Sequence, residues 1–586
     1  MALTDVISVA EFSIGNLLAD VNKLDRRIFG RRRRSNLTVE VALQQKNGGR
    51  AEGHRPDQSA EPGEPREPLT EYQMLYKRTS HFLGGNVCLF ILGLISFPIL
   101  ARIFSVEQYG LIALVSSTIA VALVFAKCGL QTYVQRFYKE YAVSPVPESL
   151  RRCYSTVYLT AAFLGLLLSL PFALLVFRYV PRRVISDQIQ LLLGFAAALI
   201  FLRSISSMVA NLLQVEGRTT AYNVLQIVTK TASVAVTVLL LLTWRRSPEV
   251  FFVGTVAVEA IAVLAVVPYL RRKRMLALTA FDWRVCRQAL LFGFPMMGTE
   301  IFWLILDSGD RFLVKGFLGT RQLGFYAAAY NISGYIRESL CAPLVLALFP
   351  LVMELWIEKG REQTRNFLTK SMNHFALVSI GVVVGVSVCA RDAINIIASP
   401  KYYEAHRLLP FLVLGMMLNG LSMFPRSTLI IYKKTVLMMN VNIVACVVNV
   451  ALNVALLPRI GLLGAAIATL GSYAAMTALF AFYAQRCLPL SADWRAWLKY
   501  SAVGAATWFF VSRFEINHVF PSLVVRGGLS MILYFGILSV LDARTRELAR
   551  LAMRSLIGGL GTAADEQGGE RDMSGDSREA RGAERC

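Results

Sequence analysis

The residues that could do chemistry in this chain are ionisable side chains set inside long apolar runs. Arg203, Lys230, Glu259 and Glu300 each stand within such a run, and Arg337 and Glu338 stand side by side in another. An ionisable group near the middle of a bilayer costs about 2.5 to 3.5 kcal/mol on insertion scales. Facing lipid, these six would together cost roughly 15 kcal/mol or more, so a shared polar interior is the cheaper arrangement. A cation at that depth suits a multiply charged anion, and arginine grips phosphate through two parallel N–H donors. Arg203, Lys230 and Arg337 are therefore the substrate-binding candidates. The alternative is internal bridging, Arg337 with Glu338 or Glu300 and Lys230 with Glu259, and the sequence leaves both open. Asp310 and Arg311 lie near the end of a run, where capping or loop pairing is the ordinary role. With Glu259, Glu300 and Glu338 they are candidates for an ion contact or an internal bridge. Asn442, Asn449 and Asn453 recur at helical spacing within one further run, a pattern that suits hydrogen-bonded glue between helices.

Other chemistry is poorly served. The nine cysteines, at 88, 128, 153, 286, 341, 389, 446, 487 and 586, form no C-x-x-C pair, and the five histidines form no H-x-x-x-H pair. Neither a metal site nor a redox motif is expected, and no cofactor. Nothing fits G-x-x-x-x-G-K-[ST], so any transport would rest on ion gradients or on the substrate's own charge. Moving a negative charge outward across a membrane that is negative inside gains about 2.3 kcal/mol per 100 mV. A membrane polymerase or glycosyltransferase would need a large external loop or a clustered acidic site. No D-x-D pair occurs, and no expected outside connection exceeds roughly twenty residues. No catalytic residues are assigned, and the protein is not expected to be an enzyme.

Positioning such charges requires membrane-spanning helices. Of 586 residues 55% are hydrophobic and only 17% charged, with a mean hydropathy of +0.50, a balance that excludes a soluble domain of this length. The expected fold class is an all-α polytopic membrane protein. The net charge of +22 sits mostly in short connections and tails, as the positive-inside rule places it, so nucleic acid is not an expected partner. Fourteen spans are expected, near 82–104, 108–127, 154–177, 188–213, 220–243, 250–270, 290–308, 322–350, 370–390, 408–431, 436–457, 461–485, 496–513 and 524–542. An even number puts both termini on one side. The linkers 127–152, 271–287, 359–370, 433–434 and 486–499 share that side and are richer in Lys and Arg, which assigns both termini to the cytoplasm.

Residues 1–34 carry an apolar stripe of helical period followed by Arg31 to Arg34. This reads as an amphipathic helix with a basic block, lying on anionic lipid at the cytoplasmic face or self-associating as a short coil. Residues 35–80 turn to Gly, Pro, Glu, Gln and Arg, a linker too polar to pack. Residues 543–586 form a polar cytoplasmic tail.

The run from Leu290 to Asn331 is a transmembrane hairpin with a charged hinge, and its pattern recurs. Arg102-Ile-Phe104 leading to Gly110-Leu-Ile-Ala113 mirrors Lys315-Gly-Phe317 leading to Gly324-Phe-Tyr-Ala327, the two glycines 214 positions apart. Gly217-Arg218-Thr219 with Asn223 matches Lys433-Lys434-Thr435 with Asn440, the threonines 216 apart. Two matches in order at nearly one offset point to a duplicated half, as in many secondary transporters.

Leu291-Phe-Gly293-Phe-Pro295, Ser308-Gly-Asp310-Arg311-Phe312-Leu313 and Gly324-Phe-Tyr-Ala-Ala-Ala-Tyr330 together resemble the start of the second lobe in Wzx-type polysaccharide flippases of the multidrug/oligosaccharidyl-lipid/polysaccharide (MOP) exporter superfamily. Gln214-Val-Glu-Gly-Arg218, Lys401-Tyr-Tyr-Glu-Ala405, and Asn449 and Asn453 before Pro458 and Gly464-Ala-Ala-Ile-Ala468 extend the resemblance over about residues 80 to 540. It implies two pseudo-symmetric six-helix lobes, here 81–275 and 276–487, with two additional helices in 488–542. It also implies a flippase that rocks between inward and outward openings, carrying an undecaprenyl-diphosphate-linked oligosaccharide across the bacterial inner membrane for surface polysaccharide biosynthesis. Its partners would be that lipid-linked oligosaccharide, membrane lipids, and the glycosyltransferases and polymerase of the same pathway. The runner-up is an ion-coupled small-molecule exporter of the same superfamily. Against it, the first span, Phe82 to Phe104, has no carboxylate of the kind such exporters often use.

Overall fold

A computed structural model describes residues 71–143, 149–179, 187–272, 277–514, 516–542 and 545–546. The expected N-terminal amphipathic helix, most of the polar linker and nearly all of the C-terminal tail lie outside the described residues. Every regular element described is helical, as befits a chain whose backbone must satisfy its own hydrogen bonds in hydrocarbon. In order these are α1 (Glu71–Ile103), α2 (Val106–Lys127), α3 (Leu130–Val143), α4 (Ser149–Leu174), α5 (Asp187–Val215), α6 (Thr219–Thr243), α7 (Pro248–Arg272), α8 (Trp283–Ser308) and α9 (Asp310–Leu318). There follow α10 (Thr320–Glu358), α11 (Gly360–Ala393), α12 (Leu409–Leu421), α13 (Met423–Ile431), α14 (Thr435–Ile460), α15 (Leu462–Gln485), α16 (Trp494–Val511) and α17 (Val519–Leu541).

Among the described residues twelve segments are helical, long and apolar enough to cross a membrane, α12 and α13 counting as one. Of the fourteen spans expected, those on α10 and α16 are the two outside this set. The 18-residue α16 opens with Trp-Arg-Ala-Trp-Leu-Lys, which lowers its hydropathy, and the first half of α10 is rich in polar residues up to Arg337 and Glu338 while its second half is apolar. The linker expected at 127–152 contains a helix of its own, the amphipathic α3.

The chain divides into two compact units. The first holds residues up to Ala328, Glu338–Leu348 and Met439–Ala468. In it α6 packs on α1 and α7, α5 on α4 and α7, and α2 on α5 and α8. Ser105 starts α2 with a reciprocal cap: its hydroxyl accepts from the Gln108 amide at 3.2 Å, and the Gln108 side chain accepts from the Ser105 amide at 3.0 Å, satisfying two donors that the helix start leaves free. Gly110 on α2 and Gly324 on α10 lie against each other. A Cβ on Gly110 would meet the Thr320 carbonyl oxygen, and one on Gly324 would enter the Val106 carbonyl, so only the absence of a side chain permits this approach. At the other end of α2, Cys128 and Gly129 take positive φ (43° and 67°) and turn the chain into α3, with Gly129 seated on Gly293 of α8. Both positions on that turn favour a residue without Cβ strain.

The second unit holds Ala329–Arg337, Phe349–Met438 and the chain from Thr469. α11 is its axis, packed by α12, α16 and α17. Asn373 on α11 bonds the turn before α16, accepting from the Asp493 amide at 3.1 Å and from Trp497 Nε1 at 2.8 Å. At the other end of α11, Asp392 accepts from Ser522 Oγ of α17 at 2.7 Å and pairs with Arg526 at 3.5 Å. Two polar clasps thus hold the last two helices to α11, where apolar packing alone gives little orientation in lipid.

Candidate functional site

Two clusters of polar side chains lie inside the apolar helices of the first unit. One is built from α5, α6 and α7. Arg203 of α5 faces Glu259 of α7, Nε to Oε1 at 3.4 Å, and Ser206, three residues on and so on the same helix face, donates to Glu259 Oε2 at 3.5 Å. Both distances are long for charge-assisted bonds. Lys230 of α6 lies within electrostatic range of both Arg203 and Glu259. It is an exposed residue of that span. Two cations share one carboxylate, so the group carries a net positive charge. Arg203 has five N–H donors, and among the described residues Glu259 alone is an acid paired with it. The remaining donors suit an oxyanion.

The second cluster centres on Asp310, the first residue of α9, which is fully buried. Tyr326 of α10 donates to Asp310 Oδ2 at 2.6 Å and Asn453 of α14 donates to Oδ1 at 2.8 Å. Asn453 Nδ2 also lies 3.0 Å from the Asn449 carbonyl oxygen, so two of the three asparagines at helical spacing join one hub that ties α14 to α9. Asn442, the third, is half-buried. Asp310 looked from the sequence like a cap at a span end; the break at Gly309 between α8 and α9 turns it inward instead. Arg311 points the other way and donates from Nη1 to Ser117 of α2 at 2.9 Å. Asn453 Oδ1 is buried without a partner. Rotating that amide would set Oδ1 against the carboxylate, which a small cation between the two would make favourable. No group of three or more His, Cys, Asp or Glu fit for a metal ion occurs among the described residues, so such a cation would rely on amide and hydroxyl oxygens.

The other candidates fall elsewhere. Glu300 of α8 pairs with Lys127 at the end of α2, at 3.0 Å, with Gln131 of α3 also within 3.4 Å of the ammonium. Arg337 is half-buried and belongs to the second unit; Glu338 is exposed and belongs to the first. Arg426 escaped the sequence reading. It stands on α13 near a span end, where a basic residue is ordinarily interfacial. Like Lys230 it is exposed within a span, and no charged group among the described residues acts on it. Its one legible signal was the absence of any acid in its own run, 408–431.

The sequence model of a family described as polysaccharide biosynthesis protein matches residues 99–407. An uncharacterized membrane protein of Methanocaldococcus jannaschii is 25% identical over 275 residues, 44% of this chain and 50% of that one. The probable low-salt glycan biosynthesis flippase of Haloferax volcanii is 23% identical over 198 residues, 34% of this chain and 40% of that one. The chain thus spans half or less of the length of these relatives. Among solved structures, lipid II flippase MurJ in an inward closed conformation matches with a TM-score of 0.64 at 16% identity, covering 80% of this chain and 99% of that one. That likeness is one of fold.

Proposed function

We propose a function from one premise: the chain belongs to the family of polysaccharide biosynthesis proteins. It is a transporter and not an enzyme. It carries a lipid-linked oligosaccharide across the bacterial inner membrane by alternating access, the carrier lipid bearing a diphosphate of the undecaprenyl kind. The supporting observation is the Arg203, Lys230 and Glu259 group, whose excess positive charge lies within apolar helices. An uncompensated cation at that depth is costly, and a substrate phosphate removes the cost each time it binds. Arg203 takes phosphate oxygens through its free donors, Lys230 adds a point charge, and Glu259 keeps Arg203 aimed. In the second unit Arg337 and Arg426 are the cations proposed for the same substrate.

The finer architecture belongs to the same reading: fourteen spans, two six-helix lobes at 81–275 and 276–487 with two further helices, and both termini in the cytoplasm. The contact of Gly110 with Gly324 supports the duplication, because equivalent positions meet each other on a two-fold axis. The glycosyltransferases and polymerase of the pathway are its proposed partners. The test is removal of the gene, which should leave lipid-linked repeat units on the cytoplasmic leaflet; normal surface polysaccharide in that strain would refute the assignment. Coupling to a small cation is a second element, favoured by the Asp310 hub and the spare Asn453 oxygen. Transport by reconstituted protein that is indifferent to Na+ and pH gradients would remove it.

A further inference from the structure

The first unit has a cavity of about 810 Å³ away from both polar clusters, walled by α3 and by the first turns of α4 and α8. Its depth is set by its walls. α3 spans nothing and follows directly on the membrane helix α2, while α4 and α8 begin their own crossings there. The cavity therefore lies where the spans meet the membrane surface. Its mouth faces lipid: Leu291 lines it and is 65% exposed, and Phe294, one helical turn on, is equally exposed. Trp283, at the start of α8, is exposed too, an aromatic anchor of the kind found at headgroup level. An occupant entering by this mouth is an amphipath of the leaflet.

Its lining decides which one. Tyr133, Phe137 and Phe292 form an aromatic floor, their ring centroids 4.7, 5.4 and 6.1 Å apart. The Tyr133 hydroxyl meets that of Tyr141 at 2.9 Å, and burial pushes both hydroxyls above their ordinary pKa, so they stay neutral. Of the charged side chains lining the cavity two are carboxylates, Glu140 and Asp282, and one is a guanidinium, Arg152; Glu140 is in turn paired with Arg136, one helical turn before it, at 2.8 Å. Two acids and two bases then balance around the cavity, which leaves no excess cation for a diphosphate and suits a headgroup with no net charge. A headgroup carrying one phosphate and one ammonium would place the phosphate on Arg152 and the ammonium between the carboxylates and the aromatic faces. Carboxylates and phenol oxygens also reward a cation with N–H donors over a quaternary one.

We propose that this cavity binds the headgroup of phosphatidylethanolamine from the adjacent leaflet, its acyl chains lying along Leu291 and Phe294. The site joins α3 and α4 to the start of α8 and is separate from the transport cations.

Full-length protein in detergent, titrated with phosphatidylethanolamine, phosphatidylcholine or phosphatidylglycerol and read by native mass spectrometry, tests the proposal. Wild type should retain phosphatidylethanolamine at least about fivefold better than either other lipid. The double variant Glu140→Gln, Asp282→Asn should lose that preference with its melting temperature kept, since asparagine still caps α8. Arg152→Ala should lower retention of all three. A photo-crosslinker in place of Phe137 should capture phosphatidylethanolamine. Equal retention by wild type, a preference for phosphatidylglycerol, a preference that survives the double variant, or no capture at position 137 would each overturn it. None of these measurements uses the transported substrate, so they stand or fall apart from the transport reading.

Discussion

The two polar clusters of the first unit differ in closure. At Asp310 each carboxylate oxygen accepts a short bond, 2.6 Å from Tyr326 and 2.8 Å from Asn453, and no part of the residue reaches water. At Arg203 the contacts with Glu259 and Ser206 begin at 3.4 Å, cations outnumber the acid, and Lys230 stands open. Saturated short bonds make an element that orders helices, because every partner is lost at once when one goes. Long bonds with charge to spare make one that can exchange its partners for a ligand's. Both arise from ionisable residues in apolar runs, so the difference lies in what tertiary packing brings to each.

Substitutions can break or sharpen that contrast. The largest loss of stability is expected from Asp310→Ala, which takes the short 2.6 and 2.8 Å acceptors from the Tyr326 hydroxyl and the Asn453 amide in a buried site and should cost about 1 to 3 kcal/mol for each, read as a fall in melting temperature of the purified protein. Lys127→Met comes next: Glu300 is left part-buried without its 3.0 Å partner, at a cost of about 1 to 3 kcal/mol. Arg203→Ala and Lys230→Ala should leave melting within a degree or two yet lower transport at least tenfold, with membrane insertion unchanged, and Arg337→Ala should behave likewise. Full transport by all three would end the proposal that cations bind the substrate, and loss of folding in Arg203→Ala would make its cluster structural like the other. Smallest is Arg321→Ala, whose partner Glu107 lies 3.7 Å away with both side chains more than half exposed. It should change stability by less than about 0.5 kcal/mol, and a larger shift would mean that exposure is a poor guide to which pairs matter here.

What was legible in the sequence depended on the range of the cause. The apolar runs, the charged hinge between Leu290 and Asn331, and the matched Gly110 and Gly324 could be read directly, since span length, local polarity and lack of a side chain are local properties. Partners could not. Glu300 was set against Arg337 as one alternative, and the fold gives it Lys127, 173 positions away in the chain. Arg426 was not singled out, because a residue's surroundings are a property of the packed protein.

Composition and hydrophobic periodicity by themselves determined that this chain lives in a membrane as a bundle of helices, because lipid leaves the backbone no other way to satisfy its hydrogen bonds. They also placed several charges within those helices. Which of those charges are closed off in pairs and which are left with donors to spare was decided by the tertiary structure alone, since a side chain's partners come from helices that meet only when the bundle packs.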